Sequence, residues 1–198
     1  MTDKTKPLAK AVLDANVLAE AAVSDLLLRL AESAGAFAPI WTDQILDETL
    51  RTLINRLNWP AKVAESRVLA ANLAFPEALV GNFEHHIASC TNDEKDRHVL
   101  AAAIEANALM IITLNIKHFR ETDLSAWGVI AIHPSDFLSD LAMRHPFEME
   151  DSLEAMGRRI GGGNTSALSR LSATIPRFAD QIAAQKGITF PPYKPKNP

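Results

Sequence analysis

The sequence predicts an α/β domain, a parallel sheet flanked by helices, followed by a helical C-terminal extension. Three observations lead there. Residues 9–13 form an apolar run, interrupted only by Lys10, that ends abruptly in Asp14. That is the pattern of a buried parallel strand delivering a polar group to its C-terminal edge. Residues 108–113 repeat it and run into Leu114-Asn115. Helical stretches alternate with these short apolar runs, as they do in sheets joined by helical crossovers.

The elements follow in order. Residues 24–34 read as a helix, with Ser24 as N-cap, Leu26, Leu27, Leu30 and Ala31 as an apolar stripe, and Gly35 as its end. Residues 36–41 form a second short strand despite Pro39. Thr42 or Asp43 caps a helix to about Leu57, with Ile45, Leu46, Leu50, Leu53, Ile54 and Leu57 marking its apolar face. Trp59-Pro60 breaks it, and residues 61–73 form the next helix. Residues 76–88 connect; Glu84, His85 and His86 invite a metal reading, but adjacent histidines would diverge on a regular helix or strand, so surface histidines on a connecting segment are expected. Polar residues 91–96 lead into a helix over 97–106 built on Val99, Leu100, Ala103 and Ile104. Residues 128–132 form a last strand, and Pro134-Ser135-Asp136 opens a helix through Leu141.

From His145 the character changes. Residues 146–159 read as helical, Gly161-Gly162-Gly163 as a hinge, and 167–186 as a helix capped by Thr165 or Ser166 and bent or divided at Pro176. The glycines follow no strand and lack a Lys-Ser/Thr partner, so they do not make a phosphate loop. The organisation expected is a domain over 1–143, a helical extension over 144–188 and an extended or disordered tail over 189–198.

Hydrophobic residues make up 47% of the chain and charged residues 22%, an ordinary globular balance. The lone Cys90 excludes an internal disulfide framework and fits a reducing compartment. Lys4, Lys6 and Lys10 precede no apolar core of signal-peptide length, and no stretch reaches membrane-helix length. A cytoplasmic protein without a membrane partner is expected. Of the net charge of −4, residues 155–198 contribute +6, with seven Lys or Arg against Asp180, so the rest carries −10. Arg158, Arg159, Arg170 and Arg177 are therefore candidate contacts for RNA or an acidic partner, or else a solvated helix surface.

The topology brings Asp14, Glu48 and Asp96 to one sheet edge: Asp14 ends the first strand, Glu48 lies early on the helix after the second, and Asp96 starts the helix before the third. Each has a plainer role open to it. Asp96 or Asp93 could cap a helix, Glu48 could answer the helix dipole, and Asp14 could stabilise a strand end. Together, in this order, they favour a metal site. Several carboxylates at one edge repel unless a divalent cation neutralises them, and Mg²⁺ or Mn²⁺ suits oxygen ligands. Such a site can activate water against a phosphodiester.

Over residues 9–142 the chain resembles the PIN-domain nucleases, in particular the bacterial branch of VapC-type toxins. The likeness rests on Leu13-Asp14-Ala15-Asn16-Val17-Leu18, on Trp41-Thr42-Asp43 leading to Glu48, and on Asp96-Arg97-His98-Val99-Leu100-Ala101-Ala102-Ala103. It continues in Ile111-Ile112-Thr113-Leu114-Asn115-Ile116-Lys117-His118-Phe119 and His133-Pro134-Ser135-Asp136-Phe137-Leu138. The resemblance implies a three-layer fold and a Mg²⁺- or Mn²⁺-dependent endoribonuclease. It further implies that the protein is the toxin of a type II toxin–antitoxin pair, commonly a dimer and held inactive by a cognate antitoxin. Asp14, Glu48 and Asp96 would be its catalytic acids and metal ligands, supported by Asn16, Asp93, Thr113 and Asn115. Asn115 stands where a fourth acid is common, and His118 where an acid is frequent, so one metal is better supported than two. Arg97, His98, Lys117 and His118 are candidate phosphate contacts, although a helix-surface cation for Arg97 and a packed imidazole for His98 are the plainer readings.

Two other enzymes fit less well. The Asp14-Ala15-Asn16 spacing resembles haloacid-dehalogenase-type phosphatases, but their second acid is Asn16 here. No glycine-rich turn follows the first strand, which argues against a Rossmann nucleotide site. The competitor of a different class is a PIN-fold binding module that has lost cleavage, motivated by Asn115 and His118.

Overall fold

The structure, a computed structural model, describes residues 8–194; Lys4, Lys6, Lys196 and the last four positions of the expected tail lie outside the described residues. In chain order the elements are β1 (Lys10–Leu13), α1 (Ala15–Leu18), α2 (Ala21–Ala34), β2 (Ala38–Ile40), α3 (Asp43–Asn55), α4 (Ala61–Ala74), α5 (Arg97–Ala106), β3 (Met110–Ile112), α6 (Glu121–Leu124), β4 (Ile130–Ile132), α7 (Pro134–Arg144), α8 (Pro146–Ile160), α9 (Gly163–Ser172) and α10 (Pro176–Lys186). Short 3-10 turns occur at Pro76–Ala78, Glu84–Ser89, Glu94–Asp96, Ile116–His118 and Ser125–Trp127. The described residues divide into two compact units, one of residues 8–19 and 37–133, the other of 20–36 and 134–194.

The first unit holds the sheet. Its four strands are parallel in the order β2-β1-β3-β4, with Val12 opposite Ile40 on one side and Ile111 on the other. The central strands are apolar on both faces because both are covered, and Val12, Leu13, Ile111 and Ile112 are wholly buried. The ladder continues one residue past each: the Asp14 N–H donates to the Ile112 carbonyl at 3.1 Å, and the Thr113 N–H to that of Ile132 at 3.1 Å. The chain winds from β1 outward to β2 and then back across to β3. The C-terminal edge between β1 and β3 is therefore a topological switch point, where such sheets open a crevice for ligands.

Helices fix what lines that crevice. Asp14 is followed at once by the single turn α1, which the sequence pattern did not announce. Thr42 caps α3, its Oγ1 accepting the Ile45 N–H at 3.2 Å, so Thr42 and not Asp43 is the cap. Leu53 packs with Ala19 and Ala64 in a small cluster bordered by Leu50, Ile54, Trp59 and Val68, which seats α3 on α4. α5 buries Val99, Leu100, Ala101, Ala102 and Ala103, covering more than half its circumference. A helix apolar on that scale is held by packing, and each large aliphatic side chain contributes roughly 1.5–3 kcal/mol.

The second unit is helical. α2 begins at Ala21, three residues before the expected start. Ser24 is not its cap; its Oγ donates back to the Glu20 carbonyl at 3.0 Å inside the helix. α8 and α9 approach so closely that a Cβ on Gly157 would lie 2.3 Å from the Gly163 backbone. Thr165 and Ser166 sit within the first turn of α9, with Gly162 in the cap position. Pro176 divides the expected long helix, standing at the first turn of α10, where its missing N–H is harmless. Residues 189–194 carry no helix or strand. Arg158, Arg159 and Arg177 pair with Glu154, Asp25 and Asp136 at 3.2, 3.2 and 3.5 Å, so much of the basic surface is met by acids of its own unit.

Candidate active site

Asp14 is the most constrained acid. It leaves β1 in extended conformation (φ −66°, ψ 150°) and is 3% exposed. Its Oδ2 accepts hydrogen bonds from Thr113 Oγ1 and Asn16 Nδ2, both at 2.6 Å. Asn16 Nδ2 also reaches Thr113 Oγ1 at 3.1 Å, and Asn16 Oδ1 accepts the Leu114 N–H at 3.0 Å. Thr113 Oγ1 in turn accepts the Asn115 N–H at 3.0 Å. The ends of β1 and β3 are thus knotted by side chains where backbone pairing stops. Burial pushes the Asp14 carboxyl above its ordinary range against the Thr113 hydrogen bond, and the negative charge of Asp96 adds to the rise.

Asp96 occupies the cap position of α5 without capping it. Its carboxylate turns instead to His118, Oδ2 lying 2.6 Å from Nδ1. Asp93 caps the preceding 3-10 turn Glu94–Asp96, not α5: its Oδ1 accepts the Lys95 N–H at 3.2 Å, and its own N–H donates to the His118 carbonyl at 3.3 Å. Ligand atoms of Asp93, Asp96 and His118 all lie within 4.8 Å of one another.

Glu48, on the second turn of α3, turns toward His98. Its Oε2 lies 3.4 Å from His98 Nε2, and its Oε1 accepts from Gln44 Nε2 at 3.3 Å. Partial burial opposes the Glu48 charge, but the contact and charge of His98, with Gln44 and Arg51, outweigh it and hold the carboxyl below its usual range. The His98 ring is buried, and its Nε2 has no aligned hydrogen-bond partner among the described residues. His98 also bears electrostatically on Asp14, where it works against the rise.

The other expected residues spread around this edge. Asn115 is half-buried and Lys117 is exposed. Arg97 is half-buried, its Nε donating to the Asn92 carbonyl at 3.4 Å. The expectation that His85 and His86 diverge is overturned. They lie on a 3-10 turn, their ring centroids are 3.9 Å apart, and both turn toward Glu105 on α5.

The donors present suit a hard divalent cation. Asp14 is a buried carboxylate whose charge is opposed by burial and by a second carboxylate. His98 Nε2, without an aligned partner beside Glu48, is the kind of buried polar atom that a metal-bound water would satisfy.

The PIN domain family profile matches residues 10–117, more than half of the chain. The chain belongs to the PIN-domain family. It is also 39% identical over 88 residues to a protein of Mycobacterium tuberculosis (strain ATCC 25618 / H37Rv) named "Putative ribonuclease VapC50". That alignment takes in 43% of this chain and 52% of the relative, so the match spans about half the length of the curated relative. No solved structure matches the chain significantly. Within this PIN domain, two partners went unread in the sequence, His98 for Glu48 and His118 for Asp96. Both pairs join residues far apart in the chain, and neither spacing carries a local signal.

Proposed function

We propose that the chain is a metal-dependent endoribonuclease, the toxin of a type II toxin–antitoxin pair, with Asp14, Glu48 and Asp96 as catalytic acids holding Mg²⁺ or Mn²⁺. The observation that carries this reading is Asp14, a buried carboxylate fixed by Thr113 and Asn16 at a switch point and unfavourably charged until a cation arrives. The bound ion would activate water and offset charge at the phosphodiester. The chain's own residues set the geometry. Asn16 and Thr113 orient Asp14, His98 aims Glu48, and His118 holds Asp96 off the helix terminus. Asp93 and Asn115 support the same edge, and Arg97, Lys117 and His118 meet substrate phosphate. Single-stranded or looped RNA suits such an open, charged edge. A cognate antitoxin and a homodimer complete the assembly, in the cytoplasm.

A second reading has one specific observation behind it. His118 already occupies one oxygen of Asp96, and Asn115 adds no charge, which favours a weakened RNA- or protein-binding module. Purified, antitoxin-free protein incubated with structured RNA in Mn²⁺, Mg²⁺ or EDTA separates the two. Metal-dependent cleavage lost in Asp14→Asn and Asp96→Asn supports the nuclease. RNA binding without cleavage in either metal supports the module.

A further inference from the structure

We propose that His85, His86 and Glu105 form a second metal site, taking Zn²⁺, at the far end of α5 from the acids. Consecutive residues on a 3-10 turn point about 120° apart. These two imidazoles nevertheless stack, tilted by 40°, and bring both Nε2 atoms to one carboxylate oxygen. His86 Nε2 lies 3.0 Å from Glu105 Oε2, His85 Nε2 lies 3.6 Å from it, and the ligand atoms are all within 4.8 Å of one another. A tetrahedral Zn²⁺ with bonds of about 2.0–2.1 Å holds its ligands about 3.3–3.4 Å apart. The two observed separations bracket that value, and the half-exposed Glu105 and exposed His85 can close the third side.

The chemistry selects the ion. Two imidazoles and a carboxylate suit Zn²⁺, whereas Mg²⁺ demands oxygen ligands and keeps its waters. A hydrogen bond to Glu105 accounts for one histidine; the second, with its ring centroid 3.9 Å from the first, adds repulsion if both are charged and a ligand if both are neutral. Cys90 is not part of the set, since its Sγ donates to the His86 carbonyl at 3.4 Å. Trp127 packs edge-on against His86, with centroids 6.4 Å apart, and helps fix the ring. The exposed side of His85 leaves a fourth position to water.

Glu105 lies nine residues after Asp96, about 13 Å along the axis of α5. The site is therefore separate from the acid cluster. It would tie the Glu84–Ser89 turn to the helix whose other end carries Asp96 and His98.

The test is Zn²⁺ titration, by calorimetry, of EDTA-stripped full-length protein bearing Asp14→Asn and Asp96→Asn, so that the acid cluster does not compete. One equivalent is expected to bind and to raise the melting temperature, and Co²⁺ is expected to give the visible absorption of a tetrahedral site. Adding His85→Ala, His86→Ala or Glu105→Gln should weaken Zn²⁺ at least tenfold, while Glu84→Gln should not. Circular dichroism checks each fold, and the exposed His85→Ala keeps the test decisive if His86→Ala fails to fold. Absence of Zn²⁺ binding, or affinity unchanged by His85→Ala and Glu105→Gln, overturns the site and leaves a His–Glu ion pair.

Discussion

His118 Nδ1 lies 2.6 Å from Asp96 Oδ2, so the acid that stands at the start of α5 is held away from the helix it could cap. Partners of this kind orient metal-binding carboxylates, and losing one typically lowers metal affinity or activity about 10–100-fold. His118→Ala should reduce Mn²⁺-dependent cleavage within that range, with most of the loss restored at higher Mn²⁺. His118→Asn keeps a donor and should retain more activity. Cleavage rates measured against Mn²⁺ concentration check this, and equal loss in both variants would count against an orienting role.

Asp14 sets activity against stability. Its carboxyl is raised above 3.8 mainly by burial, so the folded protein binds that proton more tightly than the unfolded chain. Its contribution to stability is full below the unfolded value and is lost as pH rises through the folded one. Asp14→Asn removes the charge and should abolish cleavage while raising the melting temperature of EDTA-treated protein at pH 7. The gain should shrink as pH falls toward 4. Melting curves in EDTA across that range, with a cleavage assay on the same samples, test both halves.

The parts of this arrangement that sequence disclosed are those written in local pattern. The apolar runs ending in Asp14 and Thr113 marked the central strands, and helical periodicity marked α3, which carries Glu48, and α5, which Asp96 precedes. What was not legible depended on distant partners. Nothing near Asp96 shows that His118, twenty-two positions on, draws it away from capping, and nothing near His98 shows that Glu48 faces it. The start of α2 was misplaced for a related reason: Ser24 has the chemistry of a cap, but Ala21–Val23 are equally good helix and the chain continues through them. His85 and His86 were expected to diverge because consecutive side chains do so on any regular element; both rings turn instead toward Glu105, a distant partner that no local spacing announces.

Thr113 is wholly buried and its hydroxyl donates to Asp14 while accepting from Asn16 and the Asn115 N–H. Thr113→Val preserves shape and removes all three links. Leaving such groups unsatisfied costs about 1–3 kcal/mol, which should appear as a lower urea midpoint with an unchanged slope. Cleavage should fall as well, because Asp14 and Asn16 lose the group that joins β1 to β3. Thr113→Ser keeps the hydroxyl and should recover most of the activity.

His98 gives the last test, because its contact with Glu48 has a defined pH sign. The Glu48 carboxyl is held below 4.5, with His98 the main influence outweighing burial. Its stabilising contribution is therefore present above the unfolded value and disappears as pH falls through the lower, folded one. His98→Gln, which keeps bulk and a donor but no charge, should move acid unfolding to higher pH and leave stability at pH 7 closer to wild type than His98→Ala, which adds a cavity. Both variants should weaken Mn²⁺-dependent cleavage, since Glu48 loses the group that aims it. Acid titration followed by far-ultraviolet dichroism reads the first effect and cleavage kinetics the second. An unshifted acid midpoint in His98→Gln would mean that Gln44 and Arg51 hold the Glu48 charge without His98.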